Sequence, residues 1–207
     1  MVDLNIFHIF INMSNIRSLF PTPVYIVDLD KSIIEKDIKY IIDNIEEVKY
    51  TPAEVKVGEG IWTANHTITP DLIPNICYSI REHTELFAKE VDIDLEYRYS
   101  YWFNLWKGAN PECTNDRHSH TSSKLVSTLY ILNSEPEDAT LRIENPAQNM
   151  LHFTPYHNSA GKKWWKQIED INTPAYRLVI WPGFLWHWAR YTNSPDAHRI
   201  SMAIEVS

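Results

Sequence analysis

Two histidines, His118 and His120, stand two residues apart, and a third, His187, follows far down the chain after Trp181-Pro182-Gly183. In extended backbone alternate side chains leave the same face, so the close pair can present both rings to one point. Neutral imidazole is a good ligand for transition metals, and a mononuclear site needs about three protein donors on one side of the ion. The turn signal at 182–183 re-aims the chain, which makes His187 the best candidate for the third donor. Arg199 begins a later strand, and its planar guanidinium can hold a carboxylate in a two-pronged pair. Ser201 points to the same side and can add a hydroxyl. Taken singly, each feature has a plainer explanation: a surface His-x-His, a packed histidine, a strand salt bridge. Their order along the chain is what points to a metal site with an anion clamp beside it.

These residues need elements to position them. From residue 97 the pattern has period two: Tyr97, Tyr99, Tyr101, Phe103 and Leu105 alternate with Arg98, Ser100, Trp102, Asn104 and Trp106, which predicts a strand with two distinct faces. Further strands are expected at 23–27, 125–132, 140–144, 151–155, 176–181 and 199–206, separated by turn residues such as Asn145-Pro146. Ser32 and Glu35 match a capping box that opens a helix to about residue 48, with Ile34, Ile38, Ile41, Ile42 and Ile45 on its apolar stripe. Thr69-Pro70-Asp71 repeats the start signal for a helix reaching about residue 91. The stretch 156–174 reads as irregular, either a surface insert or a lid. Helices followed by an all-β run predict one domain over 1–207, with 1–12 an extension, 19–96 helical support and 97–207 a sandwich or jelly roll.

Composition narrows the function classes. The chain has 207 residues, enough for one core. Its formal charge of −8 argues against binding to a nucleic-acid backbone, which requires clustered Lys and Arg. Cys77 and Cys113 show neither CxxC spacing nor the density of a disulfide scaffold, so reduced thiols and a cytoplasmic setting are expected. The opening segment lacks the marks of a signal peptide, and no run approaches the ~20 apolar residues of a membrane span. A homodimer is left open.

The order of His118-Ser119-His120, His187 and Arg199-Ile200-Ser201, together with Leu19-Phe20-Pro21-Thr22-Pro23-Val24-Tyr25, Leu129-Tyr130-Ile131-Leu132 and Trp181-Pro182-Gly183, resembles the Fe(II)/2-oxoglutarate-dependent oxygenases. The chain looks like their short branch found in phage and bacterial genomes, and the resemblance covers nearly everything after Met13. It implies a double-stranded β-helix, a jelly roll of the cupin type. It implies Fe(II) on His118, His120 and His187, and 2-oxoglutarate as cosubstrate with its far carboxylate on Arg199 and Ser201. Asn104 and Trp106 would contact cosubstrate or substrate, and Trp102, Trp106, Trp186 and Trp188 are candidates for an apolar wall. The implied reaction is hydroxylation of a further, unidentified substrate, with 2-oxoglutarate decarboxylated to succinate; a phage-encoded protein of this kind would work in the host cytoplasm.

The sequence departs from the family pattern at the carboxylate ligand, whose position His120 occupies. Either three histidines form the set, or Asp116 or Glu144 supplies a carboxylate and one close histidine sits behind the metal. Position 131, where some relatives place a tyrosine on the cosubstrate, is Ile131. Two other readings stay open at this point: a three-histidine cupin-type enzyme that does not use 2-oxoglutarate, and a jelly-roll module without catalysis.

Overall fold

The computed structural model describes residues 16–19, 22–45, 50–51, 61–64, 68–96, 98–107, 117–147, 168–190, 194 and 196–207. The expectations for residues 1–12, Cys113, Asp116, the strand at 151–155 and most of the stretch 156–174 lie outside the described residues.

In chain order the elements are β1 (Ile16–Leu19), β2 (Thr22–Asp28), α1 (Lys31–Asn44), β3 (Tyr50–Thr51), β4 (Ile61–Ala64), a 3-10 turn (Pro70–Leu72), α2 (Pro74–Glu90), β5 (Tyr99–Lys107), β6 (Leu125–Asn133), β7 (Leu141–Glu144), β8 (Ile168–Ile171), β9 (Arg177–Pro182), β10 (His187–Ala189) and β11 (His198–Val206). Eight strands form a major sheet in the order β1-β2-β9-β6-β11-β5-β4-β3, and three form a minor sheet, β10-β7-β8. All pairings among the described residues are antiparallel. Two antiparallel sheets with helices on one side form the expected double-stranded β-helix. Because β2 lies inside the major sheet beside β9, the sheet draws on the segment expected to be helical support as well as on 97–207.

The central strands β6 and β11 are buried on both faces, and each face has its own task. Leu125, Leu129, Ile131, Ile200, Met202 and Ile204 turn outward to a core shared with Ile34, Ile38 and Ile41 of α1 and Ile76, Ile80 and Phe87 of α2. Val126 and Tyr130 turn inward to a second core with Val179, Trp181, Leu141 and Ile143. The period-two reading of β5 holds in the same way: Phe103 and Leu105 join the helix-side core, whereas Trp102, Asn104 and Trp106 face inward.

Both helix starts differ from the expected ones. Asp30, not Ser32, caps α1, its carboxylate accepting from the Ser32 amide at 2.9 Å and the Ser32 hydroxyl at 2.7 Å. Asp is as good a cap as Ser, and Asp30 stands directly before the first helical residue. The helix ends at Asn44 with Ile45 as its cap, and Ile42 is exposed because it falls off the stripe set by Ile34, Ile38 and Ile41. Thr69 makes no side-chain cap bond; Pro70–Leu72 form a single 3-10 turn, and α2 starts afresh at Pro74. A proline disfavours helical backbone in the residue before it, and Ile73 accordingly sits at φ −134°, ψ 52°. The end of the stretch expected to be irregular contains β8, whose Ile171 is buried in the inner core. Among the described residues no helix is long and apolar enough to cross a membrane.

Candidate metal centre

His118 and His187 face each other across an isolated antiparallel bridge. The His118 amide donates to the His187 carbonyl at 3.1 Å, and the His187 amide returns the bond at 2.9 Å. This places the two ring centroids 4.4 Å apart. His120 is brought in by a different device: its amide donates to the Gly183 carbonyl at 2.8 Å, and the Gly183 amide donates to the Lys124 carbonyl at 2.9 Å. Its ring lies 5.0 Å from that of His118 and 5.0 Å from that of His187. One nitrogen from each of the three rings falls within 4.8 Å of the others. The expected trio therefore converges from a loop, a strand pair and a turn.

Two of the rings have their tautomers fixed. A carbonyl oxygen only accepts, so the bond at 2.9 Å from His187 Nδ1 to the Leu185 carbonyl puts the proton on Nδ1 and leaves Nε2 as the lone-pair donor. Likewise His120 Nδ1 donates to the Glu205 carboxylate, whose other oxygen accepts from the Ser123 hydroxyl at 2.9 Å. Burial, reinforced by His118, pushes the His187 imidazole down to about 3. Burial also lowers His120, with Glu205 opposing the shift. Neutral rings are the form that binds a metal.

The same end of the barrel holds a cavity of about 70 Å³ lined by the three histidines, Arg199, Ser201 and Tyr130. One water needs roughly 10–15 Å³ of such space, so the cavity is sized for a small molecule. Arg199, Ser201, Ala203 and Glu205 alternate along β11, and the first three line the cavity. Arg199 is 5% exposed, with its guanidinium carbon 4.8 Å from the Tyr130 ring centroid. Asn104 and Trp106, on β5, pair in register with Ser201 and Arg199 and also line the cavity. The Tyr130 hydroxyl and the Trp181 indole nitrogen are buried with no hydrogen-bond partner among the described residues. Each such orphan costs about 1–3 kcal/mol, which an oxygen-rich guest in the cavity would offset. Three convergent imidazoles, a buried guanidinium and orphaned donors together fit an iron ion and a dicarboxylate.

Several details correct or extend the sequence reading. Ile131 lies in the helix-side core, but its neighbour Tyr130 faces the cavity, so a tyrosine is present there after all. A β-bulge in the β6–β11 pairing, where Ile200 opposes Leu132 but Ser201 opposes Tyr130, sets this register. Glu144 is held by a two-pronged pair with Arg117 and is not in the three-nitrogen group. Trp102 and Trp106 line the cavity as expected, but Trp186 is 43% exposed under the Arg117 guanidinium, and neither it nor Trp188 lines the cavity. Both flank His187, so strand alternation sends them the other way. Trp181 takes that part of the wall. Glu205, Ser123 and Tyr130 were not singled out from sequence. Parity with Arg199 and Ser201 along the last strand could have found Glu205.

Comparison with known proteins gives the family and the fold. The model of a family described as "Putative 2OG-Fe(II) oxygenase" matches residues 100–205, a span that contains all three histidines, Arg199 and Ser201. No curated protein matches in sequence. Among solved structures, a Pseudomonas putida prolyl-4-hydroxylase is similar at TM-score 0.59 and 14% identity, over 88% of this chain and 91% of that one. The epimerase SnoN from nogalamycin biosynthesis, solved with Fe3+, alpha ketoglutarate and nogalamycin RO, gives TM-score 0.59 and 12% identity over 88% and 78%. A Trichoplax adhaerens prolyl hydroxylase in complex with a hypoxia inducible factor peptide gives 0.57 and 12% over 88% and 82%. The structural likenesses carry the fold, and the family match extends from β5 almost to the end of β11 through every cavity-facing position on that last strand, so the chain belongs to the 2OG-Fe(II) oxygenases, enzymes whose cofactor is iron(II) and whose cosubstrate is 2-oxoglutarate.

Proposed function

We propose that this chain acts as one domain that hydroxylates a carbon of a second substrate while 2-oxoglutarate is oxidised and decarboxylated to succinate and CO2. His118, His120 and His187 are the residues that would hold iron(II), and Arg199 with Ser201 would take the far carboxylate of 2-oxoglutarate. The observation that carries this reading is that the histidine trio and the buried Arg199 line one and the same cavity. The family match, rather than the guanidinium alone, favours this reading over a cupin-type enzyme working without 2-oxoglutarate.

Bound iron supplies the activation of O2, one atom of which enters the substrate and the other the succinate. The chain's own residues do the rest. Arg199 offers a forked pair of donors, and burial makes its charge felt strongly by a carboxylate. Tyr130 presents a hydroxyl beside that guanidinium, its pKa raised mainly by burial and thus protonated at neutral pH, so it can donate. Trp102, Trp106 and Trp181 keep bulk water from the reacting end. With three neutral ligands in place of two and a carboxylate, the ion and its three ligands taken by themselves would carry one more positive charge, which favours a dianionic cosubstrate.

Anaerobic titration of the iron(II)-loaded protein with 2-oxoglutarate should produce a visible charge-transfer band, and aerobic turnover should release succinate. Arg199→Ala should weaken 2-oxoglutarate binding about 10- to 100-fold, the worth of a hydrogen-bonded charged pair, with metal binding unchanged. Absence of the band in wild type would remove the cosubstrate assignment.

A further inference from the structure

The three-histidine set raises a question of charge: where does a site without a ligating carboxylate find the anion that would balance its cation? Among the described residues, the carboxylate of Glu205 contacts the trio at His120. Its side chain leaves β11 on the cavity-facing side, in register with Val126 of β6 and Ser100 of β5. One oxygen receives the Nδ1 proton of His120, and the other receives the Ser123 hydroxyl at 2.9 Å. The Ser123 amide in turn donates to the His120 carbonyl at 2.9 Å. Ligand and carboxylate are thus tied together by side chain and by backbone in one closed loop, with the face of His120 against Trp102 at 5.7 Å.

We propose that Glu205 is a positioning residue of the metal centre: it fixes His120 with Nε2 free for the ion and places behind that ligand the negative charge that a ligating carboxylate would supply directly. The inference rests on the three-histidine reading of the site. A metal-bound imidazole that hydrogen bonds to a carboxylate is a stronger donor, and loss of such a partner typically weakens metal binding about 10- to 100-fold. Ser123 has a supporting part, since it occupies the second carboxylate oxygen and keeps Glu205 from turning away.

Cobalt(II), added anaerobically to metal-free protein in competition with a chelator, gives both an affinity and a ligand-field spectrum without any turnover. Glu205→Ala should bind cobalt about 10- to 100-fold more weakly. Glu205→Gln retains an oxygen for His120 Nδ1 but not the charge; it should bind more weakly than wild type, with a shifted visible band, while near-ultraviolet circular dichroism of the metal-free form stays unchanged. Should the alanine variant not fold, the glutamine variant decides alone. His187→Ala separates this inference from the reading beneath it. If cobalt binding survives His187→Ala, the trio is not the metal site. If it is lost there but wild-type affinity and spectrum persist in the Glu205 variants, the trio stands and the role of Glu205 is overturned.

Discussion

A methyl group added at residue 183 would lie 2.1 Å from the Ser123 carbonyl oxygen and 2.6 Å from that of His120. Both are backbone atoms, so no side-chain rotation relieves the clash, and the turn that accepts the His120 amide must open. Gly183→Ala should therefore cost about 1–3 kcal/mol, the usual range for overpacking, and weaken cobalt binding by displacing His120. Phe184→Ala next to it removes a side chain that is 53% exposed, and both quantities should stay at wild-type values. Urea midpoints and a metal titration check the pair; unchanged metal affinity in Gly183→Ala would mean that this close approach does not place the ligand. At this scale the sequence was most readable where period two applies. His118, His120, Arg199 and Ser201 could be assigned to faces from spacing alone, and so could Glu205 had the parity been carried four residues further. Tyr130 is harder to assign from spacing, because the bulge opposite Ile200 and Ser201 decides how the cavity face is registered. Ser123 sits in a loop, where no periodicity marks a side chain's direction.

The helices sit behind the major sheet, and a polar contact fixes their mutual placement. Asp37 of α1 is 3% exposed, yet its carboxylate accepts from the Ile76 amide and the Asn75 side chain, both at 3.0 Å, within the first turn of α2. An anion there satisfies an amide that the helix itself leaves open and complements the positive end of its dipole. Asp37→Ala should lose about 2–3 kcal/mol, because it strands a buried amide as well as removing a charged acceptor, with Asp37→Asn in between. The metal affinity of both variants should be unchanged, since this contact is on the far side of the sheet from the trio; a loss of cobalt binding equal to that in the Glu205 variants would contradict the separation of the two layers. Elements with strong periodicity were legible: β5, β6, β9, β11 and the apolar stripe of α1 all stand within a residue or two of their expected places. The starts of the helices were less so, because Asp30, Ser32 and Thr69 all carry cap chemistry and only tertiary placement chooses among them. The short strand β8, Ile-Glu-Asp-Ile, has two charges in four residues and gains strand character from pairing with β7 rather than from its own composition.

Across the whole molecule, both layers wholly or partly bury histidines, and this makes the metal-free protein sensitive to acid. His187, between the sheets, is pushed down to about 3, chiefly by burial. His120 is lowered by burial against the pull of Glu205. His83, on α2 with Nδ1 2.8 Å from the Tyr25 hydroxyl of β2, is also lowered by burial. In the unfolded chain each of these rings takes a proton near pH 6.5, and in the folded chain each resists it. The unfolded state therefore binds more protons below that pH, so stability is complete above about 6.5 and is lost as pH falls towards the folded values, most extensively for His187. Wherever the unfolded ring is protonated and the folded one is not, the slope is about 1.4 kcal/mol per pH unit for each histidine. The formal charge of −8 works the other way, since acid reduces self-repulsion, but that contribution comes from exposed groups and is screened at about 0.15 M salt. The urea midpoint of chelator-treated protein in such salt should thus drop between pH 7 and pH 5. His187→Gln cannot take up that proton in either state, so its curve should be flatter by the contribution of one histidine. Parallel curves for the two proteins would show that the His187 ring is not held neutral by the fold, and with that its readiness as a metal ligand at neutral pH would lose its physical basis.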